Sequence, residues 1–500
     1  MHQKEFDIVI IGSGSGGGVV AKELSTMCRD GVRIAVLEWG PKLRREEFTG
    51  VELEMVNRLY ADAGGFFTKD GNMTIAFGRA YGGSTAVYTG TSLKIARATL
   101  EKWGVEGLGF EDMDRRADKY FQENNLHLLE DALINENNRL FVEGCRALGY
   151  RTSQFPVNVK ECRGSSLCNL GCPHGAKQGT DQVQLPAAEK NGVLVVTNCR
   201  VARIADRECF AAVQNPGFGE PSAWEPGEYR VKAKVVVVCG GAINTPALLL
   251  RSDLPQRLPT LGRYITLHPA LILVGLHDRP ITNFYGHPKG FCCDHFAGTK
   301  GFMLETCIYF PFTTAKSCIG FGAAHSELMA HMDHQQQIIA LSWDPPVERN
   351  RVAVDGGGEP VLDYRVSPGV LDALHEAQLA AARIFFAAGA VKVHAPAGEK
   401  FFIERSEVDT LDDLIPRSGM LPGKISLTSA HIMGGCRMGR DSATSVTDEW
   451  GRVHGVPWLY VADSSLFPRC SEVNPYLTIM ALADRVAERV RLDARELLAT

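Results

Sequence analysis

Apolar residues in this chain come in short dense runs punctuated by glycine. Residues 6–11 (FDIVII) form one run and end in the cluster GSGSGGG at 12–18. The spacing over 19–27 predicts a helix, and the run IAVL at 34–37 predicts a second strand that stops at Glu38. Apolar runs without polar alternation mark strands buried on both faces, as in parallel sheets. Residues 193–196 and 201–204 read as short strands, and 235–239 (VVVVC) as a buried strand of the parallel type. That strand enters Gly240-Gly241 and a helix over 245–251. A strand at 459–462 stops at Asp463, and a helix over 476–492 follows. Between these pieces the pattern changes. Residues 270–276, 304–310, 337–343 and 351–354 are short strands separated by Gly, Pro and Asp turns, which predicts an antiparallel sheet. A helix over 369–388 would cover one face of it. The Pro- and Gly-rich stretch 214–229 reads as a surface hairpin loop.

The glycine cluster carries the first chemical signal. Strand, glycines, helix, second strand and an acid form the βαβ dinucleotide fingerprint. Gly12 allows the tight turn, Gly14 lets the backbone approach a pyrophosphate, and Gly17 lets helix and strand pack closely. The helix N-terminus, which includes Ser15, offers N–H groups to phosphates. Glu38 stands where an acid would hold a ribose hydroxyl. The motif by itself does not separate FAD from NAD.

Five hundred residues exceed one simple core, so two or three domains are expected. The apolar fraction of 45% and charged fraction of 22% are those of an ordinary globular protein. A net charge of −5 without a basic run argues against a nucleic-acid partner. No stretch approaches the ~20 apolar residues that span a bilayer. The first strand begins near residue 1 with no leader-like segment before it, so a cytoplasmic location is expected, with a peripheral membrane contact left open. The 14 cysteines are scattered, and several, such as Cys239 and Cys307, sit in apolar strands as buried thiols. Only Cys162, Cys168 and Cys172 are regularly spaced, which favours metal or redox chemistry over disulfides.

Four further segments narrow the class. They are GRAYGGSTAVYTG (78–90), SAHIMGGCRMG (429–439), VADSSLFP (461–468) and VNPYLTIMALADRVAERV (473–490). In this order they resemble the glucose-methanol-choline (GMC) oxidoreductases, which bind FAD. The resemblance covers both ends and much of the middle, and is weakest over 277–420. The last segments are similar to the cholesterol oxidase and long-chain fatty alcohol oxidase branches, and CNLGCPHGAKQGTD (168–181) is most similar to the latter. The implied fold is α/β: a Rossmann-like FAD-binding domain with a central parallel sheet, and a substrate domain with an antiparallel sheet flanked by helices. The implied segments are 1–100, 190–270 and 425–500 for FAD binding, 101–189 for a cap and cysteine loop, and 271–424 for substrate.

The resemblance also implies roles. The loop of Gly78, Gly82, Gly83 and Ser84, free of bulky side chains, would pass beside the isoalloxazine. Gly240 opens a second strand–glycine–helix unit at the cofactor. Val201 would touch adenine, and Asp463 the pyrophosphate–ribityl region. Asn474, Pro475 and Tyr476 open the last helix, whose N–H groups would stabilise charge on a reduced flavin. Tyr88 departs from the family, where many members have Asn. No histidine suited to attachment lies near these loops, so non-covalent FAD is expected. His431 and Asn474 match the family's active-site pair. A neutral imidazole accepts a hydroxyl proton near pH 7, and an amide binds the same oxygen without titrating, while the hydride goes to flavin N5. Sequence leaves open whether His431 is the base or a hydrogen-bonding positioner. His268 is expected to be structural, and the His325, His331 and His334 group structural or on the surface.

The expected activity is FAD-dependent oxidation of a hydrophobic or aromatic alcohol, with oxygen, a quinone or an electron-transfer protein as acceptor. Phe291, Phe296, Phe302, Tyr309, Phe310 and Phe312 suit a lipophilic substrate and suit an ordinary core equally. The alternative is a sugar or polyol dehydrogenase. The cysteine segment also resembles the catalytic subunits of FAD glucose and fructose dehydrogenases, in which a three-iron cluster passes electrons to a cytochrome. Three thiolates at Cys162, Cys168 and Cys172 suit such an iron–sulfur cluster, but ferredoxin-type runs use tighter spacing and a fourth ligand. Without a cluster, the segment is a structured loop covering the flavin. A flavin-containing scaffold that has lost catalysis is a third reading, and the intact His431 and Asn474 argue against it.

Overall fold

Two sheets organise the computed structural model, which describes residues 1–498. The elements used below are, in chain order, β1 (His2–Ile11), α1 (Ser15–Leu24), β2 (Ile34–Leu37), β3 (Leu194–Val196), β4 (Cys199–Ala205), β5 (Glu208–Val213), β6 (Gly227–Val238), α2 (Gly241–Leu250), β7 (Ala270–Leu276), β8 (Phe291–Cys293), β9 (Phe302–Thr306), β10 (Gln335–Ser342), α3 (Pro368–Ala387), β11 (Leu459–Val461) and α4 (Tyr476–Leu497).

In the first sheet β3, β2, β1, β6 and β11 run parallel. Ile8, Val9, Ile10 and Val235 to Val238 are fully buried, which is why these strands are apolar without alternation. The sheet is mixed rather than purely parallel, because β5 and β4 extend it as an antiparallel pair. Asp206 and Arg207 both have positive φ, 42° and 63°, and make the tight turn that folds β4 back on β5. The lone strand expected at 201–204 is thus half of a hairpin. One long strand serves both arrangements. The first half of β6 pairs with β5, and Val236–Val238 pair with β11.

The second sheet has ten strands, with β7, β10, β9 and β8 adjacent and antiparallel at its centre. Alternation places Leu271, Leu273, Phe302, Leu304, Ile338 and Ala340 in a core with α3. Ala270, Ile272, Ile339 and Leu341 form a separate cluster with Cys307. Both faces are buried, so β7 reads as an unbroken apolar run, while β9 and β10 also bury polar residues such as Glu305 and Gln336. Two details differ from the sequence pattern. Arg351–Val354 pairs only with Pro360–Asp363, as a separate hairpin. Met73–Ile75 and Leu427–Ser429, which fall in the segments expected to bind FAD, join the second sheet instead. The chain therefore leaves the second sheet just before His431. Among the described residues, no helix is long and apolar enough to cross a membrane.

Candidate active site

A cavity of about 420 Å³ is lined by the first glycine turn, by the loop at 78–84, by the cluster face of the second sheet, and by His268, His431 and Asn474. Gly12 has a φ of +98°, and a Cβ there would lie 2.5 Å from the Cys239 carbonyl oxygen, so only glycine makes this turn. At Gly14 a Cβ would meet nothing nearer than Gly83 Cα at 3.8 Å, so this backbone is open to the cavity. Ser15 lines it as well. Gly17 does not line the cavity. A Cβ there would sit 2.0 Å from the Gly12 carbonyl oxygen, so it seats the helix on the turn. Gly82 is also outside the wall, and its N–H donates to Ser13 Oγ at 2.9 Å, while Gly78, Gly83 and Ser84 face the cavity. Glu38 accepts from Ser13 N (2.9 Å), Ser13 Oγ (2.7 Å) and Gly40 N (2.6 Å), and burial pushes its pKa up.

Val201, Gly240, Asp463, Pro475 and Tyr476 line the same space. Asp463 accepts from Gly241 N (2.8 Å) and Ser465 N (2.8 Å) and from Thr245 Oγ1 (2.5 Å), so it ties the start of α2 to its own turn. Sequence motifs did not single out Trp39. Its ring lies between the guanidinium groups of Arg79 (5.3 Å) and Arg200 (4.7 Å), all three lining the cavity. Aromatic residues divide in two. Phe302 is fully buried and stacks on Phe296 at 4.8 Å, away from the cavity, whereas Tyr309, Phe310 and Phe312 line it.

Register places the reacting groups. Thr266 pairs with Met433 and Leu267 with Ile432. The next pair in this ladder is His268 and His431, and their Nδ1 atoms lie 3.0 Å apart. One imidazole must donate to the other across this contact. His431 Nε2 is 3.5 Å from Asn474 Nδ2, and Asn474 Oδ1 is buried without a partner. Burial holds His431 well below the ordinary histidine pKa, with His268 and Lys289 adding to the effect, and holds His268 at about 3. Both rings are neutral at pH 7. His268, expected to be structural, is thus in the cavity wall and bonded to His431.

Tyr88 packs edge-on against Tyr476 with ring centroids 5.0 Å apart, and its hydroxyl meets the Asn158 amide. Beside it, Lys177 is 3% exposed and donates to the carbonyls of Ala86, Tyr88 and Cys168, each at 2.8 Å. One ammonium thereby ties the loop at 78–90 to the cysteine loop. Burial pushes the Cys168 thiol up to about 12 and raises Cys162 as well. Among the described residues, no group of three His, Cys, Asp or Glu stands where it would hold a metal ion. The iron–sulfur reading of Cys162, Cys168 and Cys172 is therefore not supported. Lys177→Met is expected to strand three carbonyls and cost roughly 2–5 kcal/mol, measured as a lower urea midpoint. An unchanged midpoint would show that the tie carries no stability.

Comparison with known proteins adds a separate line. Two profiles described as GMC oxidoreductase match the chain, over residues 56–270 and 346–483. An uncharacterized GMC-type oxidoreductase of Mycobacterium tuberculosis is 34% identical, over 97% of this chain and 75% of its own length. A long-chain-alcohol oxidase of Arabidopsis thaliana is 28% identical, over 97% of this chain and 67% of its own length. Among solved structures, a formate oxidase of Aspergillus oryzae, studied for modification of its FAD, superposes with a TM-score of 0.71 at 14% identity. That match covers 99% of this chain and 100% of the other.

Proposed function

This chain belongs to the GMC oxidoreductase family and is a flavin-dependent oxidoreductase, and from that premise we propose that it oxidises a hydrophobic alcohol held by His431 and Asn474. The observation that carries this reading is the meeting of His431 Nε2 with the Asn474 amide, 3.5 Å apart, in the wall of a cavity that also exposes the Gly14 backbone. The cavity fits FAD. The bare Gly14 and Gly83 backbones leave room for a pyrophosphate and a flat ring, and the orphaned Asn474 Oδ1 has room for a partner. Gly12, Gly14, Ser15 and Glu38 would hold the adenosine and pyrophosphate end, with Val201 at the adenine. Gly78, Gly83, Ser84 and the Asn474-Pro475-Tyr476 segment would hold the ring end.

When bound, FAD supplies the acceptor for the hydride leaving the alcohol carbon. The chain's own groups manage the hydroxyl. The Asn474 amide orients its oxygen. His431, neutral because it is buried, presents the Nε2 lone pair when its Nδ1–H donates to His268. Nε2 is then placed to accept the hydroxyl proton as the alcohol is oxidised. The substrate walls support a lipophilic alcohol. Ala270, Ile272, Ile308, Ile339 and Leu341 face the cavity together with Tyr309, Phe310 and Phe312, and a long-chain-alcohol oxidase is among the relatives. The wired sugar dehydrogenase loses its support with the cysteine geometry.

Anaerobic mixing of FAD-loaded protein with long-chain and aromatic alcohols tests the reading. Bleaching of the visible flavin bands is expected. Absence of bleaching with every such alcohol would overturn it.

A further inference from the structure

The apolar end of the cavity contains an ion pair that the reaction at His431 does not use. Lys289 is 8% exposed, lines the cavity, and its Nζ meets Glu305 Oε2. Glu305 is fully buried, and its Oε1 has no partner. It lies on β9 two residues before Cys307 and directly across from Ile339, and both of those residues line the cavity. The backbone that carries Lys289 is clamped. His287 Nδ1 meets the Lys289 carbonyl at 2.9 Å, and the next N–H, of Gly290, donates to Asn138 Oδ1 (2.9 Å) and Thr306 Oγ1 (3.0 Å). The backbone is therefore held, and Glu305 holds the ammonium.

Burying such a pair brings stability little, since well-packed apolar residues of the same volume commonly do as well or better. An ammonium has three donors, and Glu305 accounts for one. Lys289 lines the cavity, so the remaining donors of its ammonium are left to whatever enters there. The pair is already neutral, so a carboxylate ligand would leave a net negative charge in a buried site. An uncharged acceptor oxygen adds no such charge. Lys289 and His431 line the same cavity, so one small molecule bound there can meet both.

We propose that Lys289, braced by Glu305, is a specificity-determining residue that donates a hydrogen bond to a second, uncharged oxygen of the substrate. The preferred substrate is then a hydrophobic alcohol with a further hydroxyl, ether or carbonyl oxygen, and a plain alkanol leaves the ammonium unpaired. This rests on the alcohol-oxidase reading for the first oxygen, at His431 and Asn474.

The test uses ligands that cannot be turned over, so it is read whether or not any alcohol bleaches the flavin. Oxidised, FAD-loaded protein is titrated with n-alkanones and with alkanediones of the same length and varied spacing, followed by perturbation of the flavin absorbance. At the matching spacing the dione is expected to bind about 10- to 100-fold more tightly than the monoketone. The double variant Lys289→Met with Glu305→Leu removes both charges together, which avoids a stranded carboxylate, and should bring the ratio to about one. Lys289→Arg, which keeps a donor, should retain part of the preference and covers the case in which the double variant does not fold. Equal binding of dione and monoketone at every spacing overturns the proposal. So does an undiminished ratio in the double variant.

Discussion

Replacing His431 with alanine is expected to slow alcohol-driven bleaching of the flavin by about 100- to 10,000-fold while FAD stays bound. The imidazole is the only titratable group in contact with the Asn474 amide among the contacts described above, and it contributes nothing to the glycine turn that would hold the pyrophosphate. Loss of the ring therefore removes the proton acceptor without removing the cofactor cradle. Asn474→Ala keeps the acceptor and loses the orienting amide, so a smaller decrease is expected. The pH profile separates base from positioner. Burial keeps His431 neutral throughout the physiological range, so the wild-type rate of reduction should stay level as pH falls through 6.5, the ordinary histidine value. Added imidazole should partly restore the alanine variant if the ring acts as a base. A variant that bleaches at the wild-type rate would remove His431 from the chemistry.

The second large effect concerns acid stability. His268 is held at about 3 and His287 and His394 at about 4, while His431 is also pushed far down, in each case first by burial. Their unfolded values lie near 6.5. Between the folded and unfolded values the unfolded chain binds the extra proton, so stability is complete above about 6.5 and is lost as pH falls below it. Each histidine contributes a slope of up to about 1.4 kcal/mol per pH unit. Four together approach the whole stability of an ordinary domain within a few units. Glu38, Asp181, Asp344 and Asp463 work in the opposite direction, because burial raises their folded values and the folded state takes up their protons first. His394→Asn isolates one histidine away from the cavity wall. Its side chain meets the Phe401 carbonyl at 2.9 Å, a contact that an amide can mimic. Urea unfolding at stepped pH should give a slope reduced by about 1.4 kcal/mol per unit between pH 6.5 and 4. An unchanged slope would remove the histidines as the cause.

Much of this molecule is legible in its residues, for identifiable reasons. The strand at 6–11, the turn at Gly12–Gly18 and the acid at Glu38 are local, so a short window contains the whole motif. The strands of the second sheet are legible as strands because burial on both faces makes them largely apolar. Their partners are not legible, since nothing in RVAV at 351–354 tells that it pairs only with its own hairpin. The contact of His268 with His431 is not legible, because it depends on the register of Thr266–Leu267 with Ile432–Met433, a pairing across more than 150 residues. Lys177 and Lys289 gave no motif signal. The first is defined by three backbone carbonyls, and the second by one glutamate on a neighbouring strand. Partners of that kind exist only once the chain is folded.

The division of β6 between two partners has a consequence for how this protein is made. Its C-terminal half is completed by β11, and the floor under the glycine turn is completed there too, since Gly16 approaches the Ala462 carbonyl so closely that a Cβ would stand 1.7 Å from the oxygen. During synthesis the cofactor sheet keeps an open edge until β11, far downstream of β6 in the chain, has been made. Folding of this sheet is therefore dominated by distant contacts and is slow. The nascent chain carries an unpaired apolar strand edge for most of that time, a target for chaperones and for aggregation. Capture of FAD at the glycine turn is correspondingly expected only after β11 has paired with β6.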